Sequence, residues 1–196
     1  MTNKCAVFLD RDGTMVHDAG YLDRREDLRW FPWTIDAIRL LNRAGYLVCV
    51  TTNQGGVGLG LYPEAFVRET HREMAETLTQ AGGRVDGWYY CPHHPRAVVE
   101  ALRADCACRK PKTGMIEQAV RDLGIDPRRS FVVGDKFADV GMGNAAGAVS
   151  ILVRTGAGES ELARHGGQAP EAAFVAADLM EATSWILGAG PARVGE

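Results

Sequence analysis

The sequence predicts an α/β fold built on a mostly parallel sheet. Short apolar runs typical of buried strands alternate with longer stretches of helical periodicity. Polar clusters recur directly after several of those runs, at the strand ends where such sheets assemble their sites. A length of 196 residues with 46% hydrophobic and 24% charged residues suits one globular domain.

The first strand is Cys5 to Leu9, fully apolar and ending abruptly in Asp10-Arg11-Asp12-Gly13-Thr14. An irregular stretch from Thr14 to about Trp33 follows. Pro32 and Thr34 then open a helix with Ile35, Ile38 and Leu41 on one face, and Gly45 stops it. Tyr46 to Val50 is the second strand and delivers Thr51-Thr52-Asn53-Gln54 to the same edge. Pro63 opens a helix to Gln80 with Phe66, Met74 and Leu78 inward and charges outward.

Val85 to Tyr90 is a third strand. A compact loop rich in cysteine and histidine spans 91–111, and Met115 to Leu123 is helical up to Gly124. Phe131 to Val133 forms a fourth strand ending in Gly134-Asp135-Lys136. A short helix through Asn144 and a fifth strand, Val149 to Val153, come next. The chain beyond Thr155 reads as glycine-rich loop, then a strand-like Phe174-Val175 and a helix from Asp178 to Leu187. One domain over 1–188 and a flexible tail over 189–196 are expected.

The formal charge of −3 and the lack of a basic stripe give no footprint for nucleic acid. No signal peptide or spanning segment is evident, so the expectation is a cytoplasmic protein without membrane partners. Its five cysteines should then be reduced.

Asp10 and Asp12, one residue apart beside a glycine, can face one bound ion or phosphate. Asp, Gly and Thr after a strand are also ordinary turn residues. A calcium loop is excluded, because the residues after Gly13 lack the further oxygen ligands it needs. Thr52-Asn53 can hydrogen-bond phosphoryl oxygens, Arg109-Lys110 supplies cations, and Asp135 with Asp139 supplies further acids. Each cluster alone is weak, but their joint order fits phosphoryl transfer, which needs an acceptor, cationic charge and fixed donors. Three carboxylates with a lysine suit Mg²⁺.

Cys91, His93, Cys106 and Cys108 form a Cys-x-His, Cys-x-Cys set that can close a tetrahedral shell, read as structural Zn²⁺ with His94 an alternative to His93. Free buried cysteines are the competing reading. Cys5 and Cys49, in apolar strands, read as core. His17, His71 and His165 read as solvated, and Trp30, Trp33, Trp88 and Trp185 as core residues.

From Val7 to Gly147 this pattern resembles the haloacid dehalogenase superfamily of phosphotransferases. The resemblance implies a doubly wound sheet with helices on both faces, and no insertion here is long enough for a large cap domain. It further implies that Asp10 is the nucleophile, Asp12 the acid/base, and Thr52 and Lys110 the phosphoryl clamp. Asp10, the Asp12 backbone carbonyl and Asp135 would surround Mg²⁺, with Asp139 behind them.

Asp10-Arg11-Asp12-Gly13-Thr14, Cys-Pro-His-His-Pro at 91–95 and Cys-Arg-Lys-Pro-Lys at 108–112 are similar to the zinc-loop subgroup of that superfamily. That subgroup includes heptose bisphosphate and histidinol-phosphate phosphatases, and the longer loop and Lys136 favour the former. The implied function is removal of the C7 phosphate of a heptose 1,7-bisphosphate in nucleotide-activated heptose biosynthesis. The implied partner is this small sugar bisphosphate, met by Arg11, Asp18, Ala19, Gly20, Tyr21, Asn53, Gln54, Gly55, Arg109 and Lys136 of a monomer. Leu59 stands where relatives often carry arginine, which removes a cationic contact to the second phosphate. A non-catalytic, zinc-stabilised binding module is the rival from another class.

Overall fold

The computed structural model describes residues 4–169 and 171–190. Six strands, β1 (Ala6–Leu9), β2 (Leu47–Asn53), β3 (Gly87–Cys91), β4 (Phe131–Gly134), β5 (Val149–Val153) and β6 (Phe174–Ala176), form one sheet in the order β3-β2-β1-β4-β5-β6. Every neighbouring pair is parallel. The chain leaves β1 toward β2 on one side and returns to its other side as β4. The order therefore reverses between β1 and β4, where the crevice of a doubly wound sheet opens.

Alternate strand residues feed opposite cores, as the two-residue strand period requires. Val7, Leu9, Val48, Val50 and Val133 pack with Ala37, Ile38 and Leu41 of α1 (Thr34–Arg43), Met74 and Leu78 of α2 (Glu64–Gln80), and Leu179, Ala182 and Ile186 of α6 (Leu179–Ala189). Ala6, Phe8, Cys49 and Val132 pack with Met115, Ile116 and Ala119 of α3 (Gly114–Leu123) and Met142 of α4 (Phe137–Ala146). The four tryptophans are partly buried against the first of these cores, and Cys49 is fully buried in the second.

The sequence expectations hold for every strand, with β5 at its expected bounds and the other boundaries shifted by at most three residues. Strand β2 continues through Thr51–Asn53, because parallel pairing with β3 extends as far as Asn53 opposite Cys91. Two elements differ. Residues read as loop form α5 (Gly158–Arg164), whose Leu162 is buried against Val140 and Leu152. Helix α6 continues to Ala189, and the rest of the expected tail, 191–196, lies outside the described residues.

His71, expected in solvent, is 5% exposed and stacks on Trp88. It sits in the stripe Val67, His71, Met74, Leu78 on α2, where helical spacing rather than neighbouring charge decides burial.

Candidate active site

Strand β1 ends at Leu9, so Asp10 follows at the crevice with its backbone N–H bonded to the Val133 carbonyl, 2.9 Å away. Gly13, at φ +92°, turns the chain back so that its N–H bonds the Val16 carbonyl at 2.7 Å. Strand β4 places Asp135 beside it, and α4 presents Asp139 from its first turn. One carboxylate oxygen from each of Asp10, Asp135 and Asp139 lies within 4.8 Å of the others.

Lys110 enters from the loop beyond β3, 6% exposed. Its Nζ donates to Asp10 Oδ1 and Asp139 Oδ1, each at 2.5 Å. Its backbone is fixed by Asn53, which accepts from the Lys110 N–H at 3.1 Å and donates to the Lys110 carbonyl at 3.4 Å. Burial pushes the Asp10 carboxyl up to about 8, with Lys110 pulling it down and Asp139, Asp135 and Asp12 pushing further. Burial opposes the charge of Lys110, but Asp10 and Asp139 outweigh it and raise the ammonium above its ordinary value. The cluster thus keeps its cation while crowding its acids.

Asp135 is 0% exposed, and its carboxyl rises to about 6, chiefly through burial. Its Oδ2 accepts from the Ala157 N–H at 2.7 Å, whereas its Oδ1 is buried without a partner. An orphaned carboxylate oxygen in a group of three acids is the signature of a cation's place. The residues present therefore fit a hard divalent ion.

Asp12 is held differently. Both of its oxygens accept from Arg11, at 2.8 to 3.1 Å, and Oδ2 also accepts from Gln54 Nε2 at 2.9 Å. Gln54 reaches Thr52 Oγ1 with the same amide, at 2.8 Å, leaving the threonine O–H free to donate. Asp10, Asp12, Thr52, Asn53, Lys110, Lys136, Ala138 and Asp139 line one narrow cavity.

Lys136 binds Asp18 Oδ2 at 3.2 Å, and Asp18 Oδ1 accepts the Gly20 N–H at 2.8 Å. Asp18 and Gly20 also border a wider cleft of about 540 Å³ with His17, Phe31 and Thr155–Ala157. Tyr21 is 48% exposed, and Ala19 is exposed beside it. Arg109 is half-buried, with Nη1 on the His93 carbonyl at 2.9 Å, and Gly55 packs between it and His94. Arg11, expected to meet substrate, is 2% exposed and turned inward onto Asp12, Gln54 and His71, because those partners satisfy its guanidinium.

In the cysteine-histidine loop, Cys91, His93, Cys106 and Cys108 bring one ligand atom each within 4.8 Å of the others. Sulfur separations of 3.3 and 3.5 Å are far too long for a disulfide. His93 Nδ1 lies 3.4 Å from Cys108 Sγ, whereas His94 Nδ1 accepts from the Arg96 N–H at 3.1 Å. His93 therefore joins the cluster and His94 does not. Burial pushes the Cys91 thiol up, so three thiols gathered in this way fit a site completed by a cation that holds them as thiolates.

Three functional positions were missed from sequence: Thr155, Gly156 and Ala157 after β5. Thr155 Oγ1 donates to the Gly13 carbonyl at 2.6 Å, and Gly156, at φ +58°, leaves the space that the Asp135 carboxylate fills. The rule that picks out the ends of the other strands, extended to β5, would have found them.

A HAD-hydrolase-like family model matches residues 107–182. The D-glycero-beta-D-manno-heptose-1,7-bisphosphate 7-phosphatase of Rhodopseudomonas palustris is 45% identical over 142 residues, 72% of this chain and 79% of that protein. The chain belongs to the heptose-bisphosphate phosphatase family of haloacid dehalogenase-like hydrolases.

A second relative in that family, D-glycero-D-manno-heptose-1,7-bisphosphate 7-phosphatase of Thermosynechococcus vestitus, is 38% identical over 92% of this chain and 94% of its own. The crystal structure of D,D-heptose 1,7-bisphosphate phosphatase from B. bronchiseptica, complexed with magnesium and phosphate, superposes with a TM-score of 0.83. It is 32% identical and covers 94% of this chain and 98% of its own. Among the described residues no connection between strands holds an inserted domain that could form a large cap. No helix among the described residues is long and apolar enough to cross a membrane.

Proposed function

We propose that the protein hydrolyses the 7-phosphate of a D-glycero-D-manno-heptose 1,7-bisphosphate through an aspartyl-phosphate on Asp10. The observation that carries this reading is the convergence of Asp10, Lys110, Asp135 and Asp139 in the crevice between β1 and β4, within a chain of this family.

Asp10 Oδ attacks phosphorus, the ester oxygen leaves, and Asp12 delivers the proton that this oxygen takes up. In the second half Asp12 takes a proton from water as it attacks the acyl phosphate, regenerating the Asp10 carboxylate and releasing inorganic phosphate. Lys110 Nζ and the Thr52 hydroxyl donate to the phosphoryl oxygens, and Asn53 fixes the lysine backbone from which that ammonium extends. Asp10, Asp135 and the Asp12 backbone carbonyl would hold magnesium. When bound it would neutralise charge on the acids and the phosphoryl oxygens.

The Asp18–Lys136 pair borders both the narrow cavity and the wider cleft, so a sugar whose phosphate enters the first can lie along the second. Asp18–Tyr21, Asn53, Gly55, Arg109 and Lys136 are assigned to that contact, whereas Arg11 and Gln54, expected from the sequence to meet substrate, are each 2% exposed with their polar atoms partnered inside and act behind Asp12. Cys91, His93, Cys106 and Cys108 would hold structural zinc, fixing the loop that carries Arg109 and Lys110. A single catalytic domain acting as a cytoplasmic monomer is part of the same reading.

Phosphorus NMR of the purified protein with heptose 1,7-bisphosphate and Mg²⁺ tests it. Loss of the 7-phosphate signal with the 1-phosphate retained is expected. Release of the 1-phosphate, or faster turnover of histidinol phosphate, would overturn the substrate assignment.

A further inference from the structure

Asp12 can shuttle a proton only if its carboxylate is aimed, and the side chains that aim it lead into the protein interior. Arg11 binds both carboxylate oxygens from one side. Its other terminal nitrogen, Nη1, lies 3.4 Å from Nε2 of His71, which α2 contributes from sixty positions further along the chain. Both residues are buried, at 2% and 5% exposure. The imidazole is wedged by Trp88, stacked at 4.8 Å and 27°, and by Tyr90, edge-on at 5.7 Å, so it has little freedom to rotate.

Burial and the facing Arg11 guanidinium depress the imidazole to about 3. The ring is therefore neutral at physiological pH and can accept a hydrogen bond, which an imidazolium facing Arg11 could not. A guanidinium has a rigid planar fork, so fixing Nη1 also fixes the angle at which Nε and Nη2 meet Asp12.

We propose that His71 is a positioning residue for the proton-transfer step: its neutral Nε2 accepts from Arg11 Nη1 and thereby sets the orientation of the Asp12 carboxylate. This rests on the reading of Asp12 as the acid/base. His71 has no contact with substrate in this scheme, and its effect is confined to Asp12. An aromatic packing residue in the same place would fill the same space but leave the guanidinium unaligned.

The test uses His71→Phe, which keeps the volume and the stacking on Trp88 but removes the acceptor, and His71→Gln, which restores an acceptor at a similar reach. Each is made alone and with Asp12→Asn, and turnover is followed on heptose bisphosphate and on p-nitrophenyl phosphate. His71→Phe is expected to lower kcat by about ten- to a hundredfold with KM within about twofold. His71→Gln should recover most of the loss, and neither should slow Asp12→Asn further.

A kcat for His71→Phe within twofold of wild type, a glutamine variant no better than phenylalanine, or full additivity with Asp12→Asn would overturn the proposal. If His71→Phe fails to fold, the comparison of His71→Gln and His71→Leu with and without Asp12→Asn decides by the same criteria. An undiminished Asp12→Asn would defeat the acid/base reading instead. Absence of wild-type turnover on heptose bisphosphate alone would defeat the substrate assignment.

Discussion

Gly156 has no chemistry of its own, yet a single methyl group there should disable the centre. Alanine at φ +58° carries the left-handed penalty of about 1–2 kcal/mol. Its Cβ would also overlap the Asp135 carboxylate and lie 2.5 Å from the Gly13 Cα, in a place with no slack on either side. Forcing a methyl into such a site costs about 1–3 kcal/mol more. Gly156→Ala should therefore lose about 2–5 kcal/mol in denaturant titrations, less than the about 5–15 kcal/mol that holds typical domains folded.

Gly45→Ala is the control, because Gly45 has φ +87° and no atom within 4 Å of its built Cβ. It should show the backbone penalty alone. The surviving folded Gly156→Ala protein should bind Mg²⁺ more weakly by calorimetry. Its kcat should fall about a hundredfold, the scale expected when a catalytic group moves by an ångström. Equal stability of the two variants together with wild-type Mg²⁺ affinity would refute the claim that this turn seats Asp135.

Three further outcomes are expected. Lys110→Met leaves Asp10 and Asp139 buried without their cation and should cost about 3–5 kcal/mol; unchanged stability at pH 8 would contradict that pairing. Folded-state values of about 8 for Asp10 and about 6 for Asp135, against an ordinary 3.8, mean that the native state holds protons the unfolded chain has released. Their contribution is full below pH 3.8 and is lost as pH rises through 6 and 8, so urea titrations without divalent cations should show that fall, and a flat profile would refute it. Chelation of zinc should lower the melting temperature and reduce activity, and metal analysis of fresh protein should find about one zinc per chain; its absence would end the structural-zinc reading.

What could be read from the sequence follows from the physics of each part. Buried parallel strands are nearly continuous apolar runs, so β1, β4 and β5, the last broken only by Ser150, are plain in the chain, and each acid directly after one must reach the crevice. Metal-ligand chemistry is equally local, which is why Cys91, His93, Cys106 and Cys108 could be grouped before their 4.8 Å clustering was known. Helix α5 was obscured because its glycine-rich start carries no cap signal, and its burial is supplied by α4 and β5 rather than by its own periodicity.

Arg11 and His71 show the opposite limit. Arg11 is implied as a substrate contact by the family resemblance, and His71 looks solvated among Arg68, Glu69, Arg72 and Glu73 on α2. Only tertiary packing reveals that the two face each other inside the protein. Likewise the Ala157 N–H and the missing side chain of Gly156 seat Asp135, while the Thr155 hydroxyl ties the same turn to the Gly13 carbonyl, and none of these marks a motif.

The most direct test of the account is a single turnover on heptose 1,7-bisphosphate quenched in acid and digested for mass spectrometry. A phosphoryl group on the Asp10 carboxyl, appearing and decaying as inorganic phosphate forms and missing from Asp10→Asn, is the predicted result. Turnover at the wild-type rate with no phosphorylated Asp10, or with the phosphoryl group on another residue, would contradict it.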